Sequence, residues 1–120
     1  MKNHNVVQKK SYTFAIQIVN LYKYLCGEKK EYVLSKQVFR SGTSIGANVE
    51  EAIGSVSDKE FIHKLSISYK EARETKYWLR LLHDTGYITD DAYKSIIPDC
   101  SKLLKIIGSI IKTMKEKNNS

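Results

Sequence analysis

At 120 residues and 13.8 kDa the chain is long enough to bury one core and too short to divide into two. Its 42% hydrophobic content is ordinary for a globular protein, no apolar run approaches the ~20 residues of a membrane-spanning helix, and the opening MKNHNVVQKK lacks the apolar centre of a secretory signal. A cytoplasmic protein is the expectation, and 20 Lys and Arg against 13 Asp and Glu (net +7) suit a domain that meets polyanions, although surplus lysine also serves solubility.

Proline occurs once, at Pro98, and apolar residues recur every three to four positions, so the chain reads as helices. The first spans about residues 7–28, with Ala15, Ile18, Val19, Tyr22, Leu25 and Cys26 on one face and Gly27 near its stop. The second, about 34–55, contains FRSGTSIGANVEEA, whose two glycines and many polar groups look unlike a helix. Plotted at 100° per residue, however, Leu34, Val38, Ile45, Val49, Ala52 and Val56 form an apolar stripe, and Gln37, Arg40, Ser44, Asn48, Glu51 and Ser55 form a polar one. Gly42 and Gly46 cost about 1 kcal/mol each relative to alanine, which calls for the close approach of another backbone. A phosphate-binding loop is excluded by the missing GxxxxGK[ST] run and preceding strand. The polar stripe is either a solvated face or a network buried between helices. If buried, Arg40 needs a carboxylate, and Glu74 is preferred to Glu71.

The third helix, about 57–85, starts at the capping box SDKE (Ser57 to Glu60) and ends near Gly86. Phe61, Leu65, Ser68, Ala72 and Leu79 follow one stripe. Ile67, Trp78, Leu81 and Leu82 lie away from it, either at an interface with a neighbouring subunit or within a core that wraps widely. Lys59, Lys70, Arg73, Tyr77 and Arg80 project within about 80° of one another. This row is either a polyanion-binding face, with one aromatic to stack on an unpaired base, or a solvated outer face partly neutralised by Glu71 and Glu74. The fourth helix, about 89–115, opens at TDDA with Thr89 as cap and Asp90 and Asp91 in the first turn. It continues through Ile96, Ile97, Cys100, Leu103, Leu104, Ile107, Ile110, Ile111 and Met114, with a bend expected at Pro98 and fraying in KEKNNS. Four helices joined by short connections predict a single all-α domain, an antiparallel up-down four-helix bundle.

No convergent chemistry is visible. Cys26 and Cys100 are far apart among apolar residues and read as reduced core thiols, and His4, His63 and His83 are scattered. No serine or cysteine has a recognisable base and orienting group, so no enzyme activity, metal or cofactor is expected.

FRSGTSIGANVEEA followed by FIHKLSISYKEARETKYWLRLLHDTGYI resembles the four-helix-bundle proteins named for the intervening sequences of bacterial 23S rRNA. The resemblance rests on Arg40, Ser44, Ile45, Asn48 and Glu51 in the second helix and on Glu74, Thr75, Tyr77, Trp78 and Leu79 in the third. These stretches cover about half the chain. The accessory proteins of diversity-generating retroelements, basic scaffolds beside a reverse transcriptase and its RNA, resemble this group too. The resemblance implies an up-down bundle assembled as a homopentamer in a bacterial cytoplasm, with motif residues that pack and do not catalyse. A gene inside rRNA does not make its product ribosome-associated. The expected function is binding of RNA or single-stranded nucleic acid without sequence preference, and the alternative is a protein-interaction scaffold.

Overall fold

A computed structural model describes residues 2–119. They form four helices, α1 (Lys2–Gly27), α2 (Leu34–Ile53), α3 (Asp58–Asp84) and α4 (Asp90–Asn119). Each helix packs against its neighbours in the order α1–α2–α3–α4 and back to α1, while the diagonal pairs stay apart. The connections are four to six residues long, which makes sequential helices antiparallel and closes an up-down bundle of 51 × 21 × 20 Å.

Local chemistry sets the helix starts. Ser57 Oγ accepts from the Glu60 N–H at 3.1 Å, and the Glu60 carboxylate accepts from the Val56 N–H at 3.1 Å, one residue earlier than in the usual capping box. Thr89 Oγ1 accepts from the Ala92 N–H at 3.1 Å. At α2 the cap position is Val33, which has no side-chain acceptor, and Glu31 serves instead. Its carboxylate accepts from the N–H groups of Val33, Leu34 and Ser35 at 3.2, 2.9 and 2.7 Å. Burial pushes the Glu31 carboxyl upward, but the three backbone donors outweigh it and hold the group below the usual range. At the far end of α3, Gly86 takes φ +83°, as glycine can in the left-handed region.

The core comprises Val7, Phe14, Ile18 and Leu25 of α1, Val38, Ile45, Val49 and Ala52 of α2, Phe61, Leu65, Ala72, Leu79 and Leu82 of α3, and Ile96 to Met114 of α4 at helical spacing. Several expectations need correction. Val56 lies beyond the end of α2 and is 95% exposed, so it does not extend the apolar stripe. Ala15, Val19, Tyr22 and Cys26 are only half-buried at the flank of the α1 core face. Helix α4 runs through Pro98 and continues to Asn119, so the tail is helical and not frayed as far as it is described; Ser120 lies outside the described residues. Both cysteines are free, and burial pushes the Cys100 thiol up to about 12.

Apart from Glu31, the buried polar side chains are small hydroxyls. Ser68 Oγ donates to the Ile45 carbonyl of α2 at 2.8 Å. Thr75 Oγ1 lies 2.8 Å from Ser41 Oγ and 2.7 Å from the Glu71 carbonyl. These side chains are short enough to be satisfied where α2 and α3 come close.

Candidate nucleic-acid interface

The core stripe of α3 occupies one side of that helix, and the basic row projects from the opposite side. Lys59, Lys70, Arg73, Tyr77 and Arg80 are all exposed, Tyr77 by 54%. Among the described residues none of these four cations forms an ion pair. Tyr77 meets the Trp78 ring edge-on, with centroids 5.0 Å apart, and keeps the rest of its surface open to solvent.

Glu71 and Glu74 do not neutralise this row, because they turn toward α2. Arg40 Nη1 donates to Glu71 at 3.1 and 3.3 Å, and Nη2 pairs with Glu74. Trp78 Nε1 also donates to Glu74 Oε2, at 3.0 Å. The indole bond lowers the Glu74 carboxyl most, burial opposes it, and the Arg40 guanidinium adds to the lowering. Arg40 is raised in turn, chiefly by its bond to Glu74.

The expected buried network is not buried in the single chain. The Arg40 side chain is 51% exposed and that of Glu74 37%. The network is also not continuous. Ser44 Oγ donates to the Arg40 carbonyl and Asn48 Nδ2 to the Ser44 carbonyl, so both bond their own helix, and exposed Glu51 pairs separately with Lys64 at 2.8 Å. A guanidinium is too long to end inside a junction this close, so it lies over the α2–α3 seam with its charge in water. On the same flank Ile67, Trp78 and Leu81 are half-buried. Leu82 is fully buried in the chain's own core, which corrects its assignment to a subunit interface.

Two clefts escaped the sequence reading because each needs two helices to form. Between α3 and α4, Ser66, Tyr69, Lys70, Gly108, Ile111 and Lys115 line a groove of ≈ 340 Å³. Between α1 and α4, a cleft of ≈ 200 Å³ brings Lys9, Lys10 and Lys102 near Asp99, whose carboxylate accepts from Gln17 Nε2 at 3.1 Å. The histidines stay apart. His63 is exposed, and His4 packs on Phe61 with ring centroids 4.7 Å apart. His83 stacks on Tyr93 at 4.2 Å with Nε2 2.5 Å from Asp90, tying the end of α3 to the start of α4 and lowering the Asp90 carboxyl. Among the described residues no three His, Cys, Asp or Glu side chains converge as metal ligands would, and no helix is long and apolar enough to cross a membrane.

A crystal structure of a protein of unknown function from the S23 ribosomal protein family of Bacteroides thetaiotaomicron is similar to this fold with a TM-score of 0.90. The two chains are 55% identical, over 92% of this chain and 98% of that one. No curated protein matches. The family description "23S rRNA-intervening sequence protein" matches residues 3–109, from the first turn of α1 through two-thirds of α4 and across both motif-bearing helices. The chain belongs to the 23S rRNA-intervening sequence protein family.

Proposed function

We propose that this protein is a non-catalytic basic bundle that binds RNA or other single-stranded nucleic acid through the outer face of α3. One observation carries the reading: Lys59, Lys70, Arg73 and Arg80 stand exposed with Tyr77 opposite the core, while Glu71 and Glu74 are held by Arg40. Flexible cations along a straight helix match a repeating phosphate backbone and do not read base edges, so binding is independent of sequence. Each subunit binds weakly. A homo-oligomer, a pentamer by family resemblance, multiplies the row and raises the affinity by avidity. Bacterial cytoplasm is the compartment this reading assumes.

A second reading is a protein-interaction scaffold, favoured by Tyr12 and Ile16, one turn apart on the outer face of α1 and 67% and 48% exposed. A fluorescence-anisotropy titration with a labelled single-stranded oligoribonucleotide separates the two. Nucleic-acid binding predicts an affinity that falls with salt, at a logarithmic slope of about 0.7 per phosphate contacted. Combined reversal of Lys70, Arg73 and Arg80 to Glu abolishes it and leaves helical content and particle size unchanged. Absence of binding at low salt, or binding indifferent to both salt and the reversals, favours the scaffold.

A further inference from the structure

We propose that the groove between α3 and α4 is a nucleotide slot, in which one base of a bound strand lies against Tyr69 and its flanking phosphates meet Lys70 and Lys115. The inference rests on the nucleic-acid reading above and gives it a location at which bases, and not only phosphates, are held.

The groove combines features that the other clefts lack. Its floor is the half-buried Tyr69 ring with Ile111 and the bare backbone of Gly108, and its charged residues are Lys70 from α3 and Lys115 from α4. No carboxylate lines it, whereas Asp99 sits in the α1–α4 cleft and Asp58 in the cleft at the bundle end beside His4 and Phe61; a further α1–α4 cleft around Tyr24 and Ile96 has an aromatic ring but no cation. Its volume of ≈ 340 Å³ lies near the lower limit for small-molecule sites, which suits one planar ring and excludes a helix or a folded partner.

Gly108 makes the slot possible. A β-carbon there would stand 3.2 Å from Tyr69 Cε1, a contact tight enough to displace the ring. Its absence lets Tyr69 lie across α4. Among the described residues the Tyr69 hydroxyl has no hydrogen-bond partner, and Ser66 Oγ, donating to the Ile62 carbonyl at 2.8 Å, retains accepting capacity. A base edge carries donors and acceptors that can engage both. The faces of the base are apolar and polarisable, and stacking on an aromatic ring contributes whatever the base identity. Lys70 belongs to the exposed α3 row as well as to this groove, so a strand held along the row passes the slot.

The test compares a labelled oligouridylate with an abasic ribose-phosphate oligomer of the same length and charge. The slot predicts that the base-bearing strand binds at least about fivefold tighter at equal salt. Tyr69→Leu, or Gly108→Val filling the groove from the other wall, removes that difference and leaves the abasic affinity unchanged, while Lys115→Gln weakens both strands. Should a groove variant fail to fold, 4-thiouridine crosslinking of the unaltered protein decides, with the adduct expected on the peptide carrying Tyr69. Equal binding of the two strands, or adducts confined to Tyr77, overturns the slot and leaves backbone binding on α3 standing. No binding of either strand at low salt overturns both.

Discussion

Gly42 of α2 lies directly beneath Ile18 of α1: a β-carbon on Gly42 would stand 2.6 Å from Ile18 Cγ1 and 2.9 Å from both Cγ2 and Cδ1. One turn on, a β-carbon at Gly46 would approach the Ser11 carbonyl oxygen at 3.3 Å. The two glycines are the surface on which α1 rests, and this close approach is the reason an otherwise good helix carries residues that disfavour helices.

Gly42→Ala is therefore expected to destabilise the bundle although alanine is the better helix former. Overpacking against a fully buried isoleucine costs about 1–3 kcal/mol, and the helix gain of about 1 kcal/mol offsets only part of it. Urea denaturation measures the loss. Removing all three clashing carbons in the same chain, Ile18→Ala, should make the Gly42→Ala cost smaller in that background, and strict additivity of the two changes would show that the sites do not touch.

Arg40→Ala is expected to cost only about 1 kcal/mol, because a half-exposed ion pair is screened by water. The melting temperature should fall by a few degrees, and by less at high salt. A loss of about 3 kcal/mol or more would mean that an assembly buries the Arg40–Glu71–Glu74 cluster, because stranding a carboxylate away from water is what makes a lost partner expensive.

Thr75→Val keeps the shape of a fully buried side chain and deletes its hydroxyl, leaving Ser41 Oγ with only a 3.5 Å contact to the Val38 carbonyl. The expected cost is about 1–2 kcal/mol. Ser44→Ala, at a half-exposed hydroxyl bonded only within its own helix, should change stability by less than about 0.5 kcal/mol. Chemical denaturation of the pair distinguishes the buried hydroxyls from the surface ones.

Glu31 should make the α1–α2 connection sensitive to acid. Its carboxyl is held below the usual range in the fold, so its contribution is fully present above the unfolded glutamate range and is lost as pH falls through the depressed folded value. Glu31→Gln should cost about 1–2 kcal/mol at neutral pH and much less in acid, where the native side chain is protonated too. A stability difference between the two proteins that stays constant from neutral to acid pH would assign the effect to packing and not to the charge.

The α-helical class, the four segments and most of the core were legible in the sequence, because an amphipathic helix writes its buried face as a period of three to four. Ser57 and Thr89 were legible as starts because a cap acts within one turn. Glu31 was not, since it stands two residues before the cap position Val33, and the recognisable signal is a short Ser, Thr, Asp or Asn at the cap position itself.

Periodicity assigns a residue to a side of its own helix, but it is silent on how near the next helix stands. That distance made Gly42 a contact point and buried Ser41, Ser68 and Thr75. It also left Arg40 half in water, paired with both Glu71 and Glu74 and not with Glu74 alone. Leu82, placed at an interface by its angle on α3, is enclosed because the core wraps far enough to reach it. The sequence by itself determined the helices and the exposed basic row, properties of one helix at a time. Only the tertiary structure decided the α2–α3 ion pairs, the hydroxyl contacts and the Tyr69 groove, since each is assembled from two helices whose separation no single helix encodes.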